Sequence, residues 1–148
     1  IKTCTFDPIS FDILSSWMVE YVPNLEGTLI FCTDYKASWQ ANLFVQYRED
    51  HHDRTLEQTL DVLADELTGQ KENYAINRKQ VREHRNHFTF GIIEATCNKD
   101  NILLVEWEII IPCYANVMLR ISTSSAYEDW NRNRTFFKGT LDSIRAGA

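Results

Sequence analysis

The sequence is poor in the residues that build tight loops, and it lacks the short motifs of common catalytic sites. Its 148 residues include five glycines and three prolines, too few for the glycine-rich loops that cradle phosphate groups. It contains no GxGxxG, GxxxxGK[ST], GxSxG or HExxH motif. The sequence therefore names no catalytic residue, and we expect a protein that is not an enzyme.

Metal clusters and disulfide frameworks are disfavoured too. No cysteine belongs to a CxxC pair or lies near a histidine at zinc-finger spacing. We expect reduced thiols, with one or two disulfides as the alternative. All four histidines fall in two segments, His51–His52 and His84–His87, which we interpret as solvent-facing loops. We expect no metal and no cofactor. The cysteines are Cys4, Cys32, Cys97 and Cys113.

Charge narrows the possible partners. The net charge of −6 disfavours nucleic acid and anionic membrane surfaces, both of which attract basic proteins. No apolar run approaches the roughly 20 residues that span a bilayer, so we expect no stable membrane insertion. We expect a cytoplasmic protein, with export as the alternative because the sequence opens on Ile1 rather than methionine. Basic residues do cluster at 78–85, interrupted by Glu83, and we interpret them as a solvated turn. They are Arg78, Lys79, Arg82 and Arg85.

Residues 102–111 are the most informative segment that is present. Alternate residues from Leu103 to Ile111 are all apolar, whereas the other face mixes aliphatic side chains with Glu106 and Glu108. This alternation, rich in β-branched and aromatic residues, predicts a strand. A strand with one apolar face and one mixed face is typical of a sheet that helices cover on one side.

The remaining periodicity predicts an α+β fold in one domain, residues 1–148. Leucines spaced four, three and four residues apart from Leu56 to Leu67 predict a helix that Asp53 or Thr55 caps. A second helix is predicted at about 126–145. Together the elements indicate an antiparallel sheet of about six strands with two main helices packed on one face. We expect Leu60 and Leu63 to share a core with Trp107, Leu119, Phe137 and Leu141. Strands are predicted at 9–14, 28–33, 41–48, 75–83, 88–97, 101–111 and 115–123.

This order of elements resembles the PsbP/Mog superfamily, and more narrowly the Eag-type chaperones of bacterial type VI secretion. The resemblance implies a non-enzymatic binding domain, often dimeric, whose sheet grips an apolar helix of a secreted effector. Similar features are spread over nearly the whole chain. They are the opening from Phe11 to Trp17, Ala41–Val45 followed by Arg48–Asp50, the helix Leu56–Leu67, the strand Val117–Thr123, and Trp130 with Phe137, Leu141 and Ile144.

Strand parity places the candidate partner-binding residues on the mixed face. One interpretation is an outer face whose charges form cross-strand ion pairs. The other is a groove in which the apolar residues hold a protein client and the polar ones pair with it. A carboxylate pair for acid–base chemistry is a third. Alternative functions are an immunity-type protein that covers a toxin, and an exported or lipid-anchored binding domain. The candidates are Phe44, Gln46, Arg48, Leu104, Glu106, Glu108, Met118 and Arg120.

Overall fold

A computed structural model of the chain describes residues 1–34, 36–50, 53–114 and 116–147. These residues contain ten strands and two α-helices, and short 3-10 turns at Pro23–Leu25 and Tyr127–Asp129. The strands are β1 (Lys2–Phe6), β2 (Ile9–Ile13), β3 (Met18–Val22), β4 (Gly27–Phe31), β5 (Asn42–Glu49), β6 (Glu72–Glu83), β7 (Thr89–Lys99), β8 (Ile102–Tyr114), β9 (Val117–Ala126) and β10 (Arg145–Ala146). The helices are α1 (Leu56–Gln70) and α2 (Trp130–Ser143).

The strands form two antiparallel sheets. The main sheet has seven described strands in the order β3-β4-β5-β9-β8-β7-β6, and the small sheet has the order β1-β2-β10. The predicted α+β class, with an antiparallel sheet and two main helices, is confirmed. The main sheet has one strand more than the six expected, because no strand is predicted at the edge strand β3. The strand predicted at 9–14 is β2, which lies in the small sheet. The small sheet was not predicted.

The larger core lies between one face of the main sheet and a layer made of α2 and the small sheet. Trp107 of β8 packs edge-on against Trp130 and lies beside Phe137 of α2, with ring centroids 5.6 and 6.3 Å away. The small sheet adds Phe11, and Thr140 of α2 donates a 2.9 Å hydrogen bond to the carbonyl oxygen of Asp12. The strictly apolar face of β8, which runs from Leu103 to Ile111 in alternate residues, is therefore the face on which α2 lies.

A second core lies on the other face, beneath α1. The leucine stripe predicted for this helix is confirmed, since Leu60, Leu63 and Leu67 are buried against Ile93 of β7 and Ile110 of β8. Thr55 caps the helix: its hydroxyl accepts a hydrogen bond from the Gln58 backbone amide, and its own backbone amide donates one to the side-chain oxygen of Gln58. Gly91 of β7 lies directly below Leu60, where a Cβ atom would come within 2.9 Å of its side chain. The missing side chain lets the helix approach the sheet closely.

The two helices therefore lie on opposite faces of the sheet, not on one face as the periodicity predicts. Leu60 and Leu63 form a separate core from Trp107, Leu119 and Phe137. The physical reason is that β7, β8 and β9 carry apolar side chains on both faces of the sheet over part of their length. Each apolar patch must be covered, and each helix has one apolar stripe. Within the described residues, neither helix is long and apolar enough to cross a membrane.

Candidate binding groove

Helix α1 covers only part of its face of the main sheet. Its main contacts are with β6 and β7, so the half of this face formed by β3, β4 and β5 is not covered by it. Between the C-terminal end of α1, the β7–β8 turn and strand β5 lies a concavity of about 570 Å³, which we call the groove. Phe44, Leu67 and Leu104 supply its apolar side chains, and Trp39 stands at one end.

Strand β4 shapes the apolar side of the groove through one glycine. Gly27 lies opposite Gln46 in the sheet, next to the position of Phe44. A Cβ atom at Gly27 would overlap the Phe44 ring and approach Cγ of Gln46 to 2.9 Å. Gln46 is held by a 2.9 Å hydrogen bond that its amide nitrogen donates to the Leu25 carbonyl oxygen. The absence of a side chain at residue 27 thus lets the Phe44 ring lie against the sheet.

Two buried carboxylates form the floor of the groove, and both are paired. Lys71, just after α1, approaches Oε1 of Glu106 to 2.8 Å. Arg120 of β9 approaches Oε2 of Glu108 to 2.8 Å, and the Ser122 hydroxyl donates a 2.6 Å hydrogen bond to the same oxygen. This arrangement satisfies charges that would be costly to bury alone. Neither carboxylate is a free general base.

The pKa values around this floor follow from burial and from the carboxylates. Burial alone would lower the pKa of Lys71, but its hydrogen bond and attraction to Glu106 outweigh this and raise the pKa. The pKa of Arg120 is raised in the same way by Glu108. Burial, with the two carboxylates nearby, raises the pKa of the Tyr74 hydroxyl strongly. Lys71, Arg120 and Tyr74 therefore all keep their protons at neutral pH.

Cys97 also contacts this floor. The rate at which its thiol is alkylated tests whether the thiol is buried beside Glu106. Its thiol donates to Glu106 over 3.4 Å, and burial, followed by the Glu106 charge, raises its pKa to about 11. An ordinary cysteine has a pKa of about 8.5, so at pH 8 we expect iodoacetamide to alkylate Cys97 on the order of 100-fold more slowly in the folded chain than in urea. The rate should rise about tenfold per pH unit from 8 to 10, which peptide mass spectrometry can measure. Equal labelling rates with and without urea would contradict this environment.

Six of the eight predicted site residues line the groove. They are Phe44, Gln46, Leu104, Glu106, Glu108 and Arg120. Met118 instead packs under α1 in the second core. Arg48, its cross-strand neighbour, is exposed outside the groove. Leu104 is only 1% exposed, so it forms the wall of the groove and is not the water-facing contact that parity predicts.

Residues from the loops complete the groove, and strand parity could not identify them. The indole nitrogen of Trp39 donates a 3.0 Å hydrogen bond to the Ser124 hydroxyl, and the Lys99 ammonium lies 5.6 Å from the Trp39 ring centroid. Lys71 comes from the end of α1. The one available signal for Trp39 is its place just before β5, in a loop that leads into a strand of the groove.

The cysteine and histidine expectations have mixed outcomes. All four cysteines are free. His84 is buried, not solvent-facing as predicted: one ring nitrogen lies 2.7 Å from the Leu141 carbonyl oxygen and the other accepts a hydrogen bond from the Asn86 amide. His87 is exposed, and the predictions for His51 and His52 lie outside the described residues. In the part of the chain that is described, no three His, Cys, Asp or Glu residues come together as a metal site.

Comparisons with known proteins establish the fold. No family model and no curated protein matches the sequence. Among solved structures, cyanobacterial PsbP (CyanoP) from Synechocystis has a TM-score of 0.70 at 14% identity, over 98% of this chain and 90% of that one. LpqN of Mycobacterium tuberculosis, involved in cell envelope biogenesis, has a TM-score of 0.69 at 10% identity, over 95% and 83%. A protein of unknown function from Pseudomonas aeruginosa has a TM-score of 0.68 at 7% identity, over 95% and 93%.

The chain thus has the PsbP-like fold, as the resemblance implied. Identities of 7 to 14% show no more than the shared fold, and fold does not determine function. The narrower likeness to Eag-type chaperones stays a prediction. What the groove does has to be argued from its own residues.

Proposed function

We propose that the chain is a non-enzymatic binding domain whose groove holds an apolar helical segment of a protein client. The observation that carries the proposal is the half-covered sheet face. One half is covered by the leucines of α1, and the other half presents half-buried Phe31 and Phe44, with neither of the two described helices over β3 to β5 on this face. An apolar helix from another protein would complete the layer, as in other helix-in-groove complexes.

The size and extent of the apolar surface suit a helix. A groove of about 570 Å³ holds roughly one turn of α-helix, which is about 10 Å wide and about 5.4 Å long. The apolar surface continues beyond it along the sheet, because Leu29 pairs with Phe44, and Phe31 pairs with Met18. Met18 is 51% exposed. A longer helix could therefore lie across β5, β4 and β3.

The polar groups of the groove suit a client that brings few charges of its own. Glu106 and Glu108 are already neutralised by Lys71 and Arg120. The hydroxyl of Ser122 and the amide of Gln46 can still exchange hydrogen bonds with a client backbone or side chain. A highly charged client would have to break these ion pairs, so the floor favours an apolar segment with isolated polar atoms.

The narrower role that we propose is that of a chaperone or adaptor for a secreted bacterial effector, acting in the cytoplasm. An immunity-type protein that covers a toxin, and an exported or lipid-anchored binding domain, are the alternatives. Genes adjacent to that of this chain would discriminate them. A large effector with apolar N-terminal helices supports the chaperone, a small toxin supports the immunity protein, and a signal sequence upstream of Ile1 supports the exported domain. The homodimer that the resemblance implies stays a prediction.

Replacing Phe44 by alanine should impair client binding far more than folding. Phe44 is half-buried, so we expect a loss of about 1 kcal/mol in the free energy of unfolding. If the ring is a central contact, recovery of the client co-expressed from the neighbouring gene should fall at least tenfold, which corresponds to about 1.4 kcal/mol. The measurements are thermal melting and quantitative co-purification.

Tyr127→Ala is the matched control, since Tyr127 is an aromatic residue, 57% exposed, in the 3-10 turn before α2 and outside the groove. It should leave client recovery unchanged. Full client recovery by Phe44→Ala would contradict the proposal. So would a loss of stability as large as that of a core aromatic residue, because Phe44 would then belong to a covered face.

A further inference from the structure

We propose that the opposite face of the sheet carries a second site, an anion pocket for a small molecule with a phosphate group. The pocket lies between α2 and the edge strand β6, with a volume of about 270 Å³. That is just below the size of drug-sized ligand sites, which limits the ligand to a small one. Five cationic side chains line it: Arg78, Arg82, Arg85, Arg134 and Lys138.

These cations come from separate elements that the fold brings together. Arg78 and Arg82 lie on β6, paired with Glu94 and Phe90 of β7 on the face that α2 covers. Arg85 follows β6, and Arg134 and Lys138 lie one helical turn apart on α2. In the sequence the basic residues form one cluster at 78–85, interrupted by Glu83, which predicts a solvated turn. That prediction is wrong for Arg78, Lys79 and Arg82, which lie on β6. The contribution of α2 converts that cluster into a two-walled pocket.

Described residues of the chain leave most of this positive charge without a partner. Among the described residues, no hydrogen bond or ion pair engages Arg82, Arg85 or Arg134. Lys138 pairs with Asp142 at 3.0 Å, and the other lining carboxylate, Glu83, accepts a 3.0 Å hydrogen bond from Thr89. Five cations therefore line the pocket with two carboxylates, and a third carboxylate, Glu94, lies 3.7 Å from Arg78, in a chain whose net charge is −6. Concentrated like charge of this kind attracts a counter-ion.

A buried donor in the same pocket also lacks an acceptor. Nε of Arg78 is buried without a hydrogen-bond partner, and it is the one such side-chain atom in the described part of the chain. A Glu94 carboxylate oxygen lies 3.7 Å from another nitrogen of this guanidinium, too far for a good hydrogen bond. Unsatisfied buried donors are rare in folded proteins. Nε itself is closed to solvent, but the Arg78 side chain is 27% exposed, so an oxyanion held by the neighbouring arginines would contact the exposed part of this guanidinium.

The chemistry of the cations indicates phosphate. Guanidinium groups bind phosphate and carboxylate oxygens through pairs of parallel hydrogen bonds. The three guanidinium groups that have no partner among the described residues match a group that carries close to two negative charges at neutral pH, as a phosphate monoester does. The inner wall, made by Phe90, Trp107 and Leu141, can contact a small organic substituent. A nucleic acid would need an extended basic surface, which this pocket between one helix and one strand does not provide.

The test is to add sodium phosphate or glycerol 3-phosphate to the full chain, with sodium chloride at the same ionic strength as the reference. Calorimetry measures binding, and thermal melting measures the change in stability. We expect both phosphates to bind and to raise the melting temperature above that in chloride. The double variant Arg82→Gln and Arg134→Gln removes one cation from each wall, and it should weaken binding at least tenfold, since hydrogen bonds to charged groups are the stronger ones. Its melting temperature in chloride reports whether it folds.

Arg48→Gln with Arg54→Gln is the matched control, since both arginines are exposed and outside the pocket. This control should bind phosphate like the unaltered chain. Phosphate that stabilises no more than chloride, or binding that persists in the Arg82 and Arg134 double variant, would overturn the assignment. Binding of phosphatidylglycerol vesicles with no binding of either soluble phosphate would overturn it too, in favour of a membrane surface. Because the pocket and the groove lie on opposite faces, client recovery should be unchanged in the Arg82 and Arg134 double variant. The anion pocket and the client groove are therefore tested independently of each other.

Discussion

Replacing Trp107 by alanine is expected to lower the free energy of unfolding by about 3–5 kcal/mol, the usual cost of removing a large buried aromatic residue. Trp107 is 2% exposed and contacts both Trp130 and Phe137. Its indole nitrogen also donates a 2.7 Å hydrogen bond to Glu94. Alanine would leave a cavity at the centre of the larger core and an unpaired acceptor at its edge. Urea unfolding followed by circular dichroism measures the effect.

Two further variants separate packing from hydrogen bonding at this position. Trp107→Phe keeps most of the apolar contact but loses the bond to Glu94, so we expect a smaller loss, of the order of 1 kcal/mol for the bond itself. Leu103→Ala alters the same face of β8 at a residue that is 44% exposed, and it should cost less than about 1 kcal/mol. If Trp107→Ala costs no more than Leu103→Ala, the assignment of the strand faces is wrong.

Replacing Arg120 by alanine is expected to be comparably damaging, at about 3 kcal/mol, for an electrostatic reason. The Glu108 side chain is 5% exposed, and Arg120 is its ion-pair partner. Removing one member of a buried pair leaves a charge without a partner in a medium of low polarity, which typically costs about 3–5 kcal/mol. Since the Arg120 side chain is 16% exposed, some water can reach the site, and we expect the lower end of that range. Chemical denaturation measures it.

Two control variants separate the loss of the Glu108–Arg120 ion pair from the loss of an arginine side chain in general. The double variant Glu108→Leu with Arg120→Met removes both charges together and should recover most of the lost stability. Arg48→Ala removes an exposed arginine from the neighbouring strand and should change stability by less than about 0.5 kcal/mol. If Arg120→Ala proves as mild as Arg48→Ala, then Glu108 is hydrated and the floor of the groove is not buried.

The sequence predicts those helices and strands whose apolar residues recur at a regular spacing and whose apolar side is covered on one face. The leucine stripe of α1 and the parity of β8 are examples, because a helix and a strand each impose their own spacing on buried residues. The edge strand β3 has no such signal. Four of its five residues, including Val19 and Tyr21, are exposed, so burial imposes no alternation on them. Strand β1 does alternate between half-buried and exposed residues, but it has only five residues and one of its half-buried positions is Lys2, so its sequence is a weak signal for a strand.

The relative positions of the helices could not be read from periodicity. A mixed face that carries Glu106 and Glu108 between aliphatic residues predicts a surface that other elements of the chain leave open, yet α1 covers one end of it. Met118 therefore packs under α1, and Leu104, which is 1% exposed, is also less accessible than parity alone suggests. Strand alternation predicts which residues share a face of the sheet. It does not predict which other element packs on that face. That depends on contacts between distant segments, such as Leu60 of α1 against Gly91 of β7.

The anion pocket was missed for the same reason. Arg78 and Arg82 are visible in the sequence as basic residues, but the residues that close the pocket, Arg134 and Lys138, are about 50 positions away. They line the same pocket as Arg78 and Arg82 only because α2, which follows the whole meander, lies on that face of the sheet. A charge cluster in sequence therefore indicates one wall of a site at most.

Site-specific photo-crosslinking tests the central claim of a client groove most directly. A photoreactive phenylalanine derivative placed at Phe44, and separately at Tyr127, would be illuminated in complex with the protein encoded next to this chain. The groove predicts a crosslink from position 44 to an apolar helix of that protein, with none from position 127. Crosslinking from position 127 but not from 44, in a complex that forms normally, would place the client elsewhere on the chain and contradict the account.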